Sequence, residues 1–260
     1  MPTVERSGVA IHYEVVEGSG PPLVFLHGMM GTSETWAMEG YLDALAGDFR
    51  LITLDLRGLG SSSAPHDPAA YTLTEFVADV VAVLDDAGAT SAYVCGFSLG
   101  ADIALALAGR HPDRVAGVLT LGLSSCNQGF DDVPWKVPVE DDMPPFESQG
   151  MTWATTMLEA EGRPAWARMV GQADPMAQIA IVRADAIDGR ISGLRLRDLA
   201  APLICVWGEK EPPKQLPLPA HARVEIIPGA DHVGTVEHRE IVVPLLRSLV
   251  LAGAAASSHR

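Results

Sequence analysis

Ser91-Ala92-Tyr93-Val94-Cys95-Gly96-Phe97-Ser98-Leu99-Gly100 is the stretch on which the reading of this 260-residue chain turns. A short apolar run, Ala92 to Cys95, stops at Gly96, and after Gly100 the chain becomes a helix-forming succession of Ala, Ile and Leu up to Arg110. That order predicts a strand, a sharp turn and a helix. Ser98 falls at the turn with a glycine two residues to either side, a Gly-x-Ser-x-Gly pattern in which small neighbours let a strained backbone hold one hydroxyl in the open. Ser98 is therefore the candidate nucleophile.

Working outward, the same grammar repeats. Thr3 to Arg6 and Val9 to Val16 read as paired strands across the Ser7-Gly8 turn, with His12 expected on the surface. Leu23 to Leu26 and Leu51 to Leu54 are short continuous apolar runs of the kind central parallel strands use. The first ends in His27-Gly28-Met29-Met30-Gly31, where glycines after a buried strand let amide hydrogens aim inward and make the Met29 N–H a candidate oxyanion donor. Between them, Thr32 to Ala46 carries Trp36, Tyr41, Leu42 and Leu45 at near-helical spacing. The second run leads into Asp55-Leu56-Arg57-Gly58-Leu59-Gly60-Ser61, a loop in which Asp55 and Arg57 are expected to brace rather than react. Thr72 and Glu75 form a capping-box pattern ahead of a helix to about Asp86. Val115 to Leu121, Leu203 to Trp207 and Val224 to Ile227 complete the strands, and Arg239 to Leu251 reads as a closing helix.

Strands alternating with helices predict an α/β fold, a mostly parallel central sheet of about eight strands flanked by helices. Residues 1–123 and 201–252 are expected to form the core and 253–260 a disordered tail. Residues 124–200 break the pattern, with prolines and acids followed by helices interrupted at Gly162-Arg163-Pro164 and Asp174-Pro175. This insertion after the sixth strand is expected to be a helical lid over the site. Trp36, Trp153, Met157 and Val233 are candidate pocket residues.

Composition narrows the partners. A formal charge of −15 argues against nucleic acid and anionic membranes, which need a cationic face. No basic start followed by an apolar core opens the chain and no apolar run reaches the length of a membrane span, so a cytoplasmic protein is expected. Cys95, Cys126 and Cys205 are odd in number and fit reduced thiols. No Cys/His spacing suits zinc and no phosphate-binding loop is present, so neither metal nor other cofactor is expected. The expected partner is a small-molecule acyl substrate, with the chain a monomer or homodimer.

Ligands of such sheets bind beyond the carboxyl ends of the strands. Ser98, Met29, Glu211 and His232 all fall just past strand ends. A serine hydroxyl needs a base to take its proton, imidazole suits the task near neutral pH, and a carboxylate must fix the ring's tautomer. The order along the chain is Ser98, Glu211, His232.

On these motifs, together with Pro228-Gly229-Ala230-Asp231-His232, the chain resembles the α/β-hydrolase family from about Val9 to Leu251. The resemblance implies that Ser98 attacks an acyl carbonyl, that His232 acts as base and then acid, and that the amides of Met29 and Leu99 hold the oxyanion. Two departures stand out. Family members usually carry Asp where this chain has Glu211, and the prolines at 212, 213, 217 and 219 predict that the helix normally preceding the last strand is missing or reduced. Some members place the acid after the sixth strand, which nominates Asp131 or Asp132 instead. The reaction classes left open are hydrolysis of an ester, thioester or lactone, carbon–carbon bond hydrolysis or perhydrolysis on the same residues, a lyase or transferase, and non-catalytic ligand binding. Epoxide hydrolases and haloalkane dehalogenases are disfavoured because their nucleophile position carries Asp, where this chain has Ser98.

Overall fold

The computed structural model describes residues 2–123, 145–184, 194–211 and 216–257, with side chains through 251. Its centre is an eight-stranded sheet: β1 (Thr3–Arg6), β2 (Val9–Val16), β3 (Pro22–Leu26), β4 (Arg50–Leu54), β5 (Ala92–Phe97), β6 (Val115–Leu121), β7 (Leu203–Gly208) and β8 (Arg223–Ile227), in the order β1-β2-β4-β3-β5-β6-β7-β8. β2 runs antiparallel to both neighbours and every other pair is parallel. β5, the most central of the continuous apolar runs, is buried at all six positions. Burial on both faces is what a parallel strand flanked by helices requires.

The helices follow the sequence with informative deviations. The stretch after β3 forms α1 (Glu34–Met38) and α2 (Tyr41–Leu45), split at Gly40, whose φ of 73° breaks the run. α3 (Leu73–Asp86) is capped by Thr72, whose hydroxyl accepts from the Glu75 N–H at 3.3 Å. The Glu75 carboxylate does not complete a reciprocal cap; it is drawn instead to Arg6 and Arg57. α4 (Leu99–Arg110) follows β5. Between β6 and β7 lie α5 (Phe146–Gln149), α6 (Thr152–Ala160), α7 (Pro164–Val170) and α8 (Pro175–Ala184), broken where the sequence places Gly162 and the Asp174-Pro175 step. α9 (Gly234–Glu237) and α10 (Arg239–Ser257) close the chain.

Two expectations are corrected. The tail expected to be disordered from residue 253 continues α10 to Ser257. Alanine carries the lowest helix penalty, and Ala254-Ala255-Ala256 extends a helix already nucleated on the core. His12 is buried rather than on the surface, because β2 is an inner strand whose Ile11, His12 and Tyr13 are all covered. Asp55 and Arg57 brace the loop after β4 as expected. Asp55 accepts from the backbone N–H groups of Ser33 and Ser61, at 2.7 and 2.8 Å, and the Arg57 guanidinium donates twice to Asp79 on α3. Among the described residues no helix is long and apolar enough to cross a membrane, and no cluster of His, Cys, Asp and Glu is arranged to hold a metal ion.

Candidate active site

β5 delivers Phe97 to the sheet's edge and the chain reverses at Ser98 with φ 52° and ψ −117°, before α4 begins at Leu99. A non-glycine residue at positive φ is held there only by its surroundings. Here the surroundings are two glycines. A β-carbon on Gly96 would lie 2.2 Å from the Gly100 carbonyl oxygen, and one on Gly100 would lie 2.1 Å from the Leu26 carbonyl oxygen. The helix start is therefore pressed against both its own strand and the end of β3. A β-carbon on Gly28 would come within 3.1 Å of the Ser98 β-carbon, so the loop after β3 abuts the same point. In that loop Met30, next to Met29, is another non-glycine residue at positive φ (65°).

The Ser98 Oγ lies 3.0 Å from His232 Nε2, and His232 Nδ1 lies 2.8 Å from Glu211 Oε1. A carboxylate only accepts, so Nδ1 carries the ring proton and donates it to Glu211, leaving Nε2 to accept from the serine hydroxyl. The other Glu211 oxygen accepts from the Gly208 N–H at 2.8 Å. Glu211 is almost wholly buried and the imidazole is half-exposed, with its ring centroid 5.1 Å from that of Phe97. Asp131 and Asp132, the alternative acids, lie outside the described residues.

Among the described residues of the connection to β8, Leu216 to Ala222, there is no helix, and the loops after β7 and β8 are joined directly: Glu209 N–H donates to Ile227 O, Lys210 N–H to Ala230 O, and the Gly229 N–H to the Glu209 carboxylate. These bonds tie the acid loop to the histidine loop. The extra methylene of Glu lets the side chain turn back to the Gly208 N–H while reaching the imidazole.

Among the described residues the N–H groups of Met29 and Leu99 have no hydrogen-bond partner. Leu99 is the first residue of α4, where backbone donors are left open by helix geometry and the macrodipole is positive. His27, fully buried, accepts from the Leu56 N–H at Nε2 and donates from Nδ1 to the Gly28 carbonyl. Burial pushes its pKa below the ordinary value, so it is a neutral brace between two loops.

The pocket expectations divide. Trp36 is corrected: it is fully buried, 4.6 Å from Phe25 and 5.4 Å from Tyr41 between ring centroids, and with no exposed surface it lines nothing. Its near-helical spacing with Tyr41 and Leu45 marks core packing. Trp153 is half-buried against Phe146, and Val233, half-buried, adjoins His232. Met157 is 45% exposed on α6. A cavity of about 310 Å³ is lined by Met30, Thr32, His12, Thr53, Asp55 and Met169 among others, and by none of Ser98, Glu211 or His232.

Two contributors escaped the sequence reading. Gly122, at φ 50° just past β6, leaves the space the imidazole occupies: a β-carbon there would lie 3.0 Å from His232 Nδ1. Arg163 pairs with Asp231, the residue before His232. A glycine directly after a strand end, and the Gly-Arg-Pro break in the insertion, were the available signals.

A doubly flanked sheet with a serine, a histidine and a buried carboxylate in line past its strand ends defines an α/β protein of hydrolase-like architecture. A family profile described as alpha/beta hydrolase fold matches residues 21–170, and the chain belongs to that family. Over 116 residues it is 40% identical to epoxide hydrolase B of Mycobacterium tuberculosis, covering 44% of this chain and 32% of that protein. Over 126 residues it is 36% identical to the pimeloyl-[acyl-carrier protein] methyl ester esterase of Nitrosomonas europaea, covering 48% of this chain and 46% of the esterase. The matched portion is thus about a third to a half of the length of these relatives. The solved structure of the enol-lactonase from Burkholderia xenovorans superposes with a TM-score of 0.75 at 22% identity, covering 96% of this chain and 100% of that one, a likeness of fold.

Proposed function

We propose that the protein is a serine hydrolase that cleaves a carboxylic ester, thioester or lactone through an acyl-enzyme on Ser98. The observation that carries this reading is the unbroken line Ser98 Oγ, His232, Glu211 at 3.0 and 2.8 Å. In the first half-reaction the Ser98 Oγ adds to the acyl carbon as its proton passes to His232 Nε2. The carbonyl oxygen takes the negative charge, and the open amides of Met29 and Leu99 are the donors available to it, a contribution of about 3 kcal/mol each in comparable sites. Glu211 holds the imidazolium through Nδ1–H. Collapse of the adduct expels the alkoxide or thiolate, which takes the proton from Nε2. Water then repeats the addition with Nε2 as base, releasing the acid and restoring Ser98. The helices between β6 and β7 act as the lid that shapes the acyl pocket, with Trp153, Met157 and Val233 as its contacts.

The similarity to an epoxide hydrolase does not transfer that chemistry. A serine oxygen attacking an epoxide carbon would form an alkyl ether, which water cannot cleave at a carbonyl, so turnover would stop after one event. An acyl carbon gives an ester that the same site hydrolyses. The similarity to a methyl ester esterase points the same way as the serine.

The test is hydrolysis of a p-nitrophenyl ester, with covalent labelling by a fluorophosphonate, in wild type and Ser98→Ala. Loss of both in the variant is expected. Labelling that survives in Ser98→Ala overturns the proposal.

A further inference from the structure

Arg163 stands at the break between α6 and α7, where Gly162 at φ 78° turns the chain and the Arg163 N–H closes back on Leu158 O. Its guanidinium has five N–H directions, and each meets a carboxylate oxygen. Nε donates to Glu237 Oε1 at 2.8 Å and Nη2 to Glu237 Oε2 at 2.9 Å. Nη2 also donates to Asp231 Oδ1 at 2.8 Å and Nη1 to Asp231 Oδ2 at 3.0 Å, while Nη1 further reaches Glu161 at 2.8 Å. Asp231 and Glu237 are not arbitrary partners. Asp231 immediately precedes His232 and Glu237 ends α9, so the two carboxylates bracket the segment that carries the imidazole.

An exposed ion pair of this kind contributes little. This one differs in that the side chain is only 14% exposed, both carboxylates are engaged bidentately, and the partners lie 68 and 74 positions away in sequence. Consistent with that geometry, hydrogen bonding from Arg163 holds the Asp231 carboxyl below its ordinary range, and Glu237 and Asp231 hold the guanidinium protonated more firmly than in water. Asp231 Oδ1 also accepts from the Gly234 N–H at 2.7 Å, and the Thr235 hydroxyl donates to the His232 carbonyl at 2.7 Å. Asp231 is thus the node at which the cation and the first turn of α9 meet.

We propose that Arg163 is a positioning residue for His232, supplied by the helical insertion, which fixes the Asp231–Glu237 segment so that the imidazole stays within reach of Ser98. This inference rests on the reading of Ser98 and His232 as the reacting pair. It makes the insertion part of the base's support as well as a cover. Without the cation, two like charges are left at the ends of one short segment, and their repulsion moves the histidine between them. Lysine cannot replace it fully, since a point charge does not fill two bidentate forks.

The experiment compares wild type, Arg163→Ala, Arg163→Lys, Asp231→Asn and the Arg163→Ala/Asp231→Asn double variant on a small p-nitrophenyl ester, with thermal melts to confirm folding. A displacement of roughly 1 Å at a reacting group costs on the order of 100-fold. The expected result is therefore a kcat lowered roughly 10- to 100-fold in Arg163→Ala with KM little changed, and an intermediate kcat in Arg163→Lys. Guanidinium at non-denaturing concentration is expected to restore part of the kcat of Arg163→Ala, and to restore less in the double variant, which keeps Glu237 but lacks the Asp231 carboxylate. A kcat near that of wild type in Arg163→Ala overturns the proposal. So does a loss that neither lysine nor guanidinium relieves. Should Arg163→Ala fail to fold, Arg163→Lys and Asp231→Asn decide, with a lowered kcat at unchanged KM supporting the proposal and an unchanged kcat overturning it. Turnover that does not depend on Ser98 would fell the serine-hydrolase reading instead, and the Ser98→Ala control separates the two failures.

Discussion

Ser98 and Glu211 show two different ways of placing one atom. The serine is held by crowding: glycines at 96 and 100 admit backbone where a β-carbon would collide, and the residue between them accepts a positive φ. The acid is held by hydrogen bonds, one oxygen to the Gly208 N–H and the other to His232 Nδ1. In the proposed mechanism its role is to keep the imidazole in the tautomer that leaves Nε2 free to take a proton. In Glu211→Gln the side-chain amide can present its NH₂ to Nδ1, which favours the opposite tautomer with the proton on Nε2. By analogy with other carboxylate-to-amide changes at this position, kcat on a p-nitrophenyl ester is expected to fall on the order of 10⁴-fold with the fold intact. Steady-state kinetics alongside circular dichroism checks this, and a kcat within tenfold of wild type would remove Glu211 from the mechanism.

The strand, the turn and the helix around Ser98 form one mechanical element, because the start of α4 rests on the last residue of β3. Gly100→Ala places a β-carbon 2.1 Å from the Leu26 carbonyl oxygen and 2.7 Å from that of His27, contacts that only backbone movement can relieve. Overpacking that backbone must absorb typically costs about 1–3 kcal/mol. The loss expected here is at or above the upper end, read as a lowered urea midpoint. Activity per folded molecule is expected to fall too, since the displaced peptide lies beside Ser98 and the Leu99 N–H. An unchanged midpoint would show that the strand and helix are not coupled at this glycine. This element was the most legible part of the sequence because all its determinants are local: an apolar run, glycines at fixed offsets, a helix former's composition. The same holds for the Thr72 cap and the breaks at Gly162 and Pro175. What the sequence could not reveal depends on residues distant along the chain. The seat of the imidazole over Gly122 requires knowing that β6 and β8 flank β7, and the reach of Arg163 requires knowing where α7 lies. Trp36 was misread for a related reason, since helical spacing shows which residues share a face and is silent about whether that face meets core or cavity.

At the scale of the molecule, two arginine–carboxylate clusters hold distant segments together, and they differ in what they hold. Arg163 ties the insertion to the histidine loop. The other joins Arg6 on β1, Arg57 after β4, and Glu75 and Asp79 on α3, with Arg57 and Asp79 both nearly inaccessible. Asp79 takes two hydrogen bonds from Arg57, at 2.6 and 2.7 Å, and one from Arg6 at 2.8 Å. Arg57 also donates to the Ala70 carbonyl, so the loop after β4 is fixed to the residues leading into α3. Removing one member of a buried pair leaves the other charged and desolvated, a cost of about 3–5 kcal/mol that exceeds what the intact pair contributes. Asp79→Ala is therefore expected to lose about that much stability by urea denaturation, because Glu75, a third exposed, cannot take over both forks of Arg57. None of the hydrogen bonds and ion pairs described for this cluster involves Ser98, His232 or Glu211, so kcat per folded molecule is expected to stay near that of wild type below the shifted melting transition. A kcat loss in Asp79→Ala as large as that in Arg163→Ala would mean that loosening any part of the frame disturbs the imidazole, and the special claim of Arg163 on His232 would fall with it. Stability lost at one cluster and turnover lost at the other is the outcome that assigns the first to the frame and the second to the reacting groups.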